Sequence, residues 1–560
     1  MEKRAIIAVA LSLLILIAYQ LAVSHFYPAP PPLEKQPEQV GKPPEEPKTV
    51  DQPAAAKPAA ELKTAKPGPK AQPAREIKVE TDDYIALFTS QGARLKSFKL
   101  KRYRADVDEK SPPFEMVPTV PGLPYPLGVQ VRGDAPFNDE SVSYSAQGGD
   151  LNLSGTSQGR LVFQGQTPAG AGITKEFSFS GSGYQVGMQA SVAGQGPPAA
   201  PDVVLTSAVT PSGPVANPPA ESGLVCSVLR YLFVPKADAA FEGVLAQVNG
   251  KLVREHVDSV TKKEWVGPVD WAGFGHTYFL FAVLPPAGAE QKMSAHGVGP
   301  GVALEIEPAA GASGKAVYNL FIGPKELDIL KSMGRGMERS IDFGHFYFIS
   351  IPLLYVLHFF HNFTASYGLD IILLTVLIKL LLAPLTHKSF VSMKQMQKLQ
   401  PQMERLKEKY KDDKEGLNKE IMELYRRNKV NPFGGCLPML LQFPVFIGLY
   451  SALLTPIELR HAQFLWIKDL SRPDWESLPI HLAGCHAGIP ILTLLMGGSM
   501  LAQQWMTPSA GDPNQRRMML MMPLIFTFMF INFPSGLTIY WLVNNLLSIA
   551  QQYLINRTQK

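Results

Sequence analysis

Cysteine is scarce in this chain. Three residues, Cys226, Cys436 and Cys485, lie far apart and form no CxxC pair, which argues against a disulfide framework or a zinc site. No glycine-rich phosphate loop is present, so the commonest nucleotide-binding signature is missing. Residues 28–75 carry no aromatic side chain. Such a stretch cannot bury enough surface to offset the entropy of ordering it. Acidic residues are missing from the interior of the long apolar runs, which leaves a proton relay or an ion-coupled transporter little to work with. There is also no internal repeat of the kind transporter folds carry.

What is present is unevenly spread. A chain of 560 residues exceeds one compact domain. Its mean hydropathy of +0.02 averages a polar, Gly- and Pro-rich middle with strongly apolar ends. Lys3 and Arg4 precede an apolar run from Ala5 to Val23, the pattern of a membrane-spanning signal anchor over residues 1–27. A cleaved signal peptide is the competing reading, but the run is long and no small-x-small site precedes Pro28. The positive-inside rule puts the N-terminus in the cytoplasm. Residues 28–75 read as a disordered, Pro-rich tether on the far side of the membrane.

Residues 76–335 read as a soluble all-β domain. Tyr184 to Val192 alternates apolar and polar residues, the period of a half-buried strand. The pairs Leu151/Leu153, Leu161/Phe163 and Phe177/Phe179 repeat that alternation between turn residues. His276 to Leu284 reads as one continuous apolar strand. Many short strands with Gly and Pro turns predict an antiparallel sandwich.

Residues 336–366 are rich in aromatic side chains, among them Phe343, Phe346, Tyr347, Phe348, Phe359, Phe360 and Phe363. They predict an amphipathic helix at the membrane interface, with a tilted span as the alternative. An α-helical core over 367–560 follows, with spans at about 368–386, 433–456, 479–506, 518–533 and 535–554. Between the first two lies a basic segment, 387–430, with twelve Lys and Arg residues. There Met396, Leu399, Met403, Leu406 and Tyr410 keep a coiled-coil spacing, and Leu417, Ile421 and Leu424 resume it after Asp412–Gly416. This predicts a helical hairpin with a polar turn, on the cytoplasmic side. Its candidate contact residues are Lys394, Lys398, Arg405, Lys407, Tyr410, Arg426 and Arg427. Arg516, Arg517, Arg557 and Lys560 fit cytoplasmic loops and a cytoplasmic C-terminus. Trp466 and Trp475, in the outer loop 457–478, suit the interface.

The residue of greatest interest is Lys379, alone within the apolar stretch Leu369 to Leu385. A cation at bilayer depth costs roughly 2.5–3.5 kcal/mol on insertion scales. Two readings stand at this point. Lys379 snorkels to the cytoplasmic end, about 12 Å away at 1.5 Å per residue, or it faces a wet cavity. Thr375 lies one turn earlier, and Gln442, Gln503, Gln504, Asn532, Asn544 and Asn545 could line the same cavity. Each alone is more often a helix–helix contact. Phe443, Phe446, Met518, Met519, Met521, Met522, Phe526, Phe528 and Met529 form an aromatic and Met-rich population suited to adaptable binding, or to ordinary lipid contact.

Two motifs read as bland. Gly155-Thr-Ser157-Gln-Gly159 matches a nucleophile-elbow string, but Arg160-Leu-Val-Phe163 after it reads as a strand where a helix is needed. His358 and His361 share a helix face, with no carboxylate near them in sequence to complete a metal site.

Several stretches occur together in order: Gly368 through Lys379 to Pro384-Leu-Thr386, Val430-Asn-Pro-Phe-Gly-Gly-Cys-Leu-Pro438, Gln442-Phe-Pro444-Val-Phe446 and Phe533-Pro-Ser-Gly-Leu537. On these the C-terminal half resembles the YidC/Oxa/Alb membrane protein insertases. The segments Gly172–Phe177, Trp271–Phe281 and Gly323-Pro-Lys325 are similar to the large periplasmic domain of the Gram-negative branch. The resemblance implies a multi-pass bacterial inner-membrane protein with a periplasmic β-supersandwich of the galactose-mutarotase type. It implies an insertase and chaperone, not an enzyme, with no cofactor. Its partners would be nascent membrane proteins, the lipid bilayer, the Sec translocon with its accessory subunits, the ribosome and the signal-recognition-particle receptor. No specific nucleic acid sequence is implied.

The family's groove arginine is matched here by Lys379, which keeps the charge but loses the bidentate fork. The implied groove comprises Lys379, Thr375, Gln442, Asn532 and Asn544. The implied substrate slide comprises Phe443, Phe446, Met529, Tyr540 and Trp541, of which Met529 and Trp541 stand where other members carry aromatic residues. From the residues alone, a solute transporter or channel, and an anchored periplasmic carbohydrate-binding protein, remain as rivals.

Overall fold

A computed structural model describes residues 74–131, 137–168, 170–193, 201–208, 233, 241–256, 262–288, 290–308, 315–411, 413–428, 430, 437–482, 485–506 and 513–558. The expected signal anchor, almost all of the Pro-rich tether and the loop Asn431–Cys436 lie outside these residues.

The expected sandwich is present. A five-stranded sheet runs in the order Pro113–Glu115, Arg94–Arg104, Tyr84–Thr89, Glu76–Glu80, Leu151–Asn152. A 14-stranded sheet gathers the remaining strands between Gly128 and Pro324. The sheets meet face to face through aromatic rings. Phe88 of the small sheet lies 4.7 Å from Phe177 and 5.8 Å from Phe179 of the large one. Offset and edge contacts of this kind add to the burial of each ring.

Period-two alternation decides which side chains face inward. The strand Gly172–Ser180 pairs antiparallel with Gln158–Gln166 on one side and Gln185–Ala193 on the other. Ile173, Lys175, Phe177 and Phe179 are its buried set, so the pleat carries a lysine into the core beside three apolar residues. The 14-residue strand Lys263–His276 joins the two halves of the large sheet. Its first half pairs with Glu290–Val298 and its second with Phe279–Leu284. The strand changes partner near Gly267, whose φ of +141° suits only glycine and whose absent Cβ leaves room for Asn249.

One strand expectation is corrected. His276 to Leu284 is not continuous: His276 ends one strand and Phe279 begins the next, its antiparallel partner. The buried run hid a hairpin because the end of the first strand and the whole of the second are buried on both faces, and no Gly or Pro stands at the Thr277-Tyr278 turn. The Gly155–Gly159 string is a turn, with the Ser157 hydroxyl donating to the Ser154 carbonyl at 2.7 Å. A strand starts at Gln158, so the nucleophile elbow is excluded.

Helix α1 (Leu327–Met333) ends the β region, and a strap leads from it to α2 (Tyr347–Thr364). The Arg335 guanidinium donates to the carbonyls of Pro285 (2.5 Å) and Asp270 (3.3 Å). Arg339 donates to the Gly250 carbonyl at 3.2 Å, and Arg254 to the Arg339 carbonyl at 3.1 Å. On α2, Phe348, Tyr355, Phe359 and Phe363 are exposed and share one face, while Ser350, Leu354 and Leu357 are buried on the other. That is the pattern of an amphipathic helix.

Helix α3 (Tyr367–Lys398) is longer than the expected span. At about 48 Å for its 32 residues it crosses bilayer depth and continues into the basic hairpin. It breaks at Leu399, where Pro401 opens α4 (Gln400–Lys409). Asp413 caps α5 (Lys414–Arg427), accepting the Gly416 amide at 2.9 Å. The expected seam is partly realised: Leu399 and Met403 are buried, and the Tyr425 hydroxyl donates to the Met403 sulfur at 2.9 Å.

Helices α6 (Leu437–Leu454), α7 (Ile491–Met506), α8 (Pro513–Phe530) and α9 (Ser535–Thr558) complete the bundle. Helix α9 packs on both α3 and α7. Of the described helices, α3 alone is long and apolar enough to cross a membrane by length and composition, and the apolar stretches Gln442–Leu454 and Leu520–Phe530 are shorter. The expected span 479–506 is corrected at its start. Pro479–Leu482 and Cys485–Gly488 form a small antiparallel hairpin, and the helix begins only at Ile491. Trp475 is likewise no interfacial anchor: it is buried, with the Phe233 ring 5.2 Å away.

Candidate substrate groove

Lys379 lies midway along α3, and its side chain turns to α9. The ammonium donates to the Ser548 hydroxyl at 2.6 Å and to the Asn544 side-chain oxygen at 3.4 Å. No carboxylate pairs with it among the described residues. Asp370, an acidic residue at the start of α3 that the sequence reading passed over, is nine residues back and fully buried. It is bonded to His361 at 2.7 Å and to the Thr364 hydroxyl.

The seam continues toward the hairpin. The Thr386 hydroxyl and the Gln551 amide bond each other, at 3.0 Å from the amide nitrogen, and Gln551 also reaches the Ala383 carbonyl at 3.3 Å. Asn544, Ser548 and Gln551 are spaced 4 and 3, so they form one stripe on α9 facing Lys379, Ala383 and Thr386 of α3. A second polar pair, Asn545 and Gln552, faces α7. Asn545 donates to the Ser499 hydroxyl at 3.0 Å and Gln552 to the Met506 carbonyl at 2.8 Å.

The other expected groove residues divide. Thr375 is buried one turn from Lys379, but its hydroxyl donates to the Ile371 carbonyl of its own helix at 2.6 Å. Gln442 bonds the Tyr540 hydroxyl and ties α6 to α9. Asn532 is not in the groove. It is exposed in the turn between α8 and α9, and the helical rise from Ser535 to Asn544 separates the two asparagines by more than about 13 Å. Ser548, Thr386 and Gln551 were missed, although their spacing from Asn544 and Lys379 was a readable signal.

Of the expected slide residues, Phe443 and Met529 are exposed, whereas Tyr540 is buried between helices. The reason for the last is its hydroxyl, which finds Gln442 inside the bundle. Trp541 sits edge-on to Phe446 (5.4 Å) and Phe530 (5.6 Å), within an aromatic cluster joining α6, α8 and α9. In the hairpin, Lys398, Arg405, Arg426 and Arg427 are exposed, and Lys394, Lys407 and Tyr410 are half-buried. Gln402, Arg405, Leu406, Lys409, Glu420, Leu424 and Arg427 line a furrow between α4 and α5. His358 faces Glu458, from the loop after α6, at 3.4 Å, and His361 faces Asp370, nine residues further along the chain, at 2.7 Å. Each imidazole thus has its own partner, and no group of three metal-ligating side chains occurs among the described residues.

A half-buried cation on a polar seam, in a helical bundle that follows a β-sandwich, narrows the choice of family. The model of the 60Kd inner membrane protein family matches residues 359–560, and that of the YidC periplasmic domain matches residues 76–356. The membrane protein insertase YidC of Pelobacter propionicus is 40% identical over 100% of this chain and 99% of its own length. That of Geobacter sulfurreducens is 41% identical with the same coverage.

The chain belongs to the YidC family of membrane protein insertases. It is therefore an inner-membrane insertase with a periplasmic β-domain, and not an enzyme. This displaces the transporter and carbohydrate-binding readings. A solved structure described as an active YidC insertase with the first transmembrane domain resolved is 19% identical to this chain. It matches with a TM-score of 0.37, over 86% of this chain and 93% of that one.

Proposed function

We propose that this YidC-family protein carries short hydrophilic tails of nascent membrane proteins across the inner membrane beside Lys379. The apolar segment that follows would leave into lipid along the faces bearing Phe443, Phe446 and Met529. The observation behind this is the Lys379 ammonium, held by the neutral Ser548 and Asn544 with no carboxylate partner among the described residues. A cation at that depth, without a counter-ion, favours an acidic or polar tail that would otherwise face hydrocarbon. The membrane potential adds about 2.3 kcal/mol per charge per 100 mV to the transfer of an acidic tail. Burial of the client's apolar surface in lipid, at about 25 cal/mol per Å², makes release favourable without a nucleotide.

In this reading the chain has six spans, an N-terminal anchor over 1–27 and five in the core, with both termini and the α4–α5 hairpin in the cytoplasm. The concentration of Lys and Arg in the hairpin supports that orientation. The furrow between α4 and α5, rimmed by Arg405, Lys409 and Arg427, is the first contact for an arriving client. The Sec translocon, the ribosome and the signal-recognition-particle receptor are its proposed partners. The β-domain over 76–335 is proposed to be a supersandwich of the galactose-mutarotase type, and 28–75 a Pro-rich periplasmic linker.

The test is complementation of insertase-depleted cells, scoring insertion of a small phage-coat-like client by protease accessibility. Wild type and Lys379→Arg are expected to rescue, and Lys379→Ala to fail. Full rescue by Lys379→Ala sinks the groove mechanism.

A further inference from the structure

We infer that Ser548 is a positioning residue for Lys379, and that its hydroxyl, acting as an acceptor, makes the groove selective for acidic translocated tails. This rests on the groove reading above. Ser548 is buried, and its own proton is already committed to the Asn544 backbone carbonyl at 2.7 Å, one turn back along α9. A hydroxyl has one donor and two lone pairs. Only a lone pair is therefore left to face Lys379, and the 2.6 Å contact is the ammonium donating to Ser548.

The ammonium has three donors. One goes to Ser548, and a second, at 3.4 Å, goes to Asn544. The third has no acceptor among the described residues and is the one a client carboxylate would take. The orientation depends on Ser548 because lysine is a point charge on a flexible four-carbon stem. A guanidinium could fork across Ser548 and Asn544 together; the ammonium is held chiefly by the short bond to Ser548, its contact with Asn544 being much longer.

The next polar position along the seam offers no alternative tether. Thr386 and Gln551 already bond each other, and Gln551 also donates to the Ala383 carbonyl. Released from Ser548, the lysine would extend along α3 toward the headgroups, as long basic side chains do. The charge would then lie away from the seam that receives the tail.

The experiment uses the full-length protein in insertase-depleted cells, with two single-span clients that differ only in a short translocated tail bearing Asp or Asn. Insertion rates are scored by pulse-labelling and protease protection, with protein levels matched by immunoblot. Ser548→Ala is expected to slow the Asp-tailed client roughly fivefold, the scale of one hydrogen bond, and to leave the Asn-tailed client unchanged. Ser548→Thr, which keeps the hydroxyl, restores the rate. Ser548→Ala added to Lys379→Ala costs nothing further, because both changes act on one interaction. Equal slowing of both clients, further loss on the Lys379→Ala background, or no slowing at all overturns the inference. Indifference of both clients to Lys379→Ala, by contrast, removes the groove reading itself.

Discussion

The guanidinium of Arg460 lies 5.5 Å from the centre of the Phe114 ring. Arg460 belongs to the loop between α6 and α7, and Phe114 to the small sheet of the β-domain. The same guanidinium faces Phe279 at 5.7 Å and donates to the carbonyls of Arg104 (2.8 Å) and Ala105 (3.2 Å). Phe114 and Phe279 stack on one another at 4.1 Å. A nearly buried arginine thus bolts the helical core to an aromatic step on the β-domain. Charge-assisted hydrogen bonds contribute about 1.5–3 kcal/mol, and a desolvated cation–π contact about 2 kcal/mol. Arg460→Ala is expected to raise amide hydrogen exchange over residues 100–115 and 457–478 at least tenfold, with the sheet interior unchanged. Unaltered exchange there would show that the bolt carries no load.

Lys175 gives a pH signature. It is fully buried, paired with Asp139, and bonded to the carbonyls of Gly92 (2.7 Å) and Leu127 (2.9 Å). Burial outweighs the pull of Asp139 and lowers its pKa to about 8. A lysine with a lower pKa folded than unfolded binds fewer protons in the folded state. Stability therefore rises with pH from about 8 toward the ordinary lysine value of 10.5. Tyr144 opposes this at the upper end, since burial raises its pKa. The opening free energy of the strand Gly172–Ser180, from hydrogen exchange corrected for intrinsic rate, should increase by about 1–2 kcal/mol between pH 8 and 9.5. In Lys175→Met that slope should vanish. At pH 7 the same variant should be less stable by about 1–3 kcal/mol, because Asp139 loses one of two buried partners and keeps Arg94 at 3.0 Å. A slope that survives the substitution would assign the effect elsewhere.

The sequence exposed what depends on local period and lost what depends on distant partners. The strands around Phe163, Phe177 and Val186 were legible because one face is buried and the other wet. The hairpin at Thr277 was not, because Phe279–Leu284 is buried throughout and burial erases alternation. Lys379 was conspicuous as one charge in an apolar run. Its true partner, Ser548, is 169 residues away, and a serine in an apolar helix attracts no notice until the facing helix is known. Asn532 shows the reverse error. Polarity made it a groove candidate, but its position two residues before Pro534 fixed it in a turn. For His358 the fold supplies Glu458, a hundred residues on, whereas the partner of His361, Asp370, stood nine residues away and was overlooked because it falls at the edge of an apolar run.

Gly368 marks a close approach that no larger residue can share. It is buried in the first turn of α3, and a Cβ there would lie 2.1 Å from the Phe464 ring. Phe464 belongs to the same loop as Arg460, and its backbone exchanges two hydrogen bonds with Ile467 at 2.9 Å. The ring therefore cannot retreat without opening that bridge. Overpacking of this kind costs about 1–3 kcal/mol. Gly368→Ala should lower the thermal midpoint in detergent, and Gly368→Val should expose 457–478 to protease. A fully protected Gly368→Val loop would mean that the loop yields more easily than its hydrogen bonds imply.

Asp474 holds the start of α7 from outside the helix. The residue before the helix is Pro490, whose side chain cannot accept a hydrogen bond, so the first-turn donors need another partner. Asp474 supplies it, accepting the Leu492 amide at 2.7 Å and the Thr493 hydroxyl at 2.9 Å. The carboxylate is nearly fully buried, and that burial raises its pKa despite these bonds. The folded state thus favours its protonated form, so the part of stability that depends on this group grows as pH falls through the carboxylate range. Two substitutions separate charge from capping. Asn accepts at a helix start about as well as Asp and carries no charge to bury, so Asp474→Asn should be nearly neutral at pH 7 and should abolish that pH dependence. Asp474→Ala removes the acceptor and should cost about 1–2 kcal/mol, read as faster exchange at the Leu492 and Thr493 amides. If Asn proved as damaging as Ala, the negative charge facing the positive end of the helix, rather than the hydrogen bonds, would be what fixes α7.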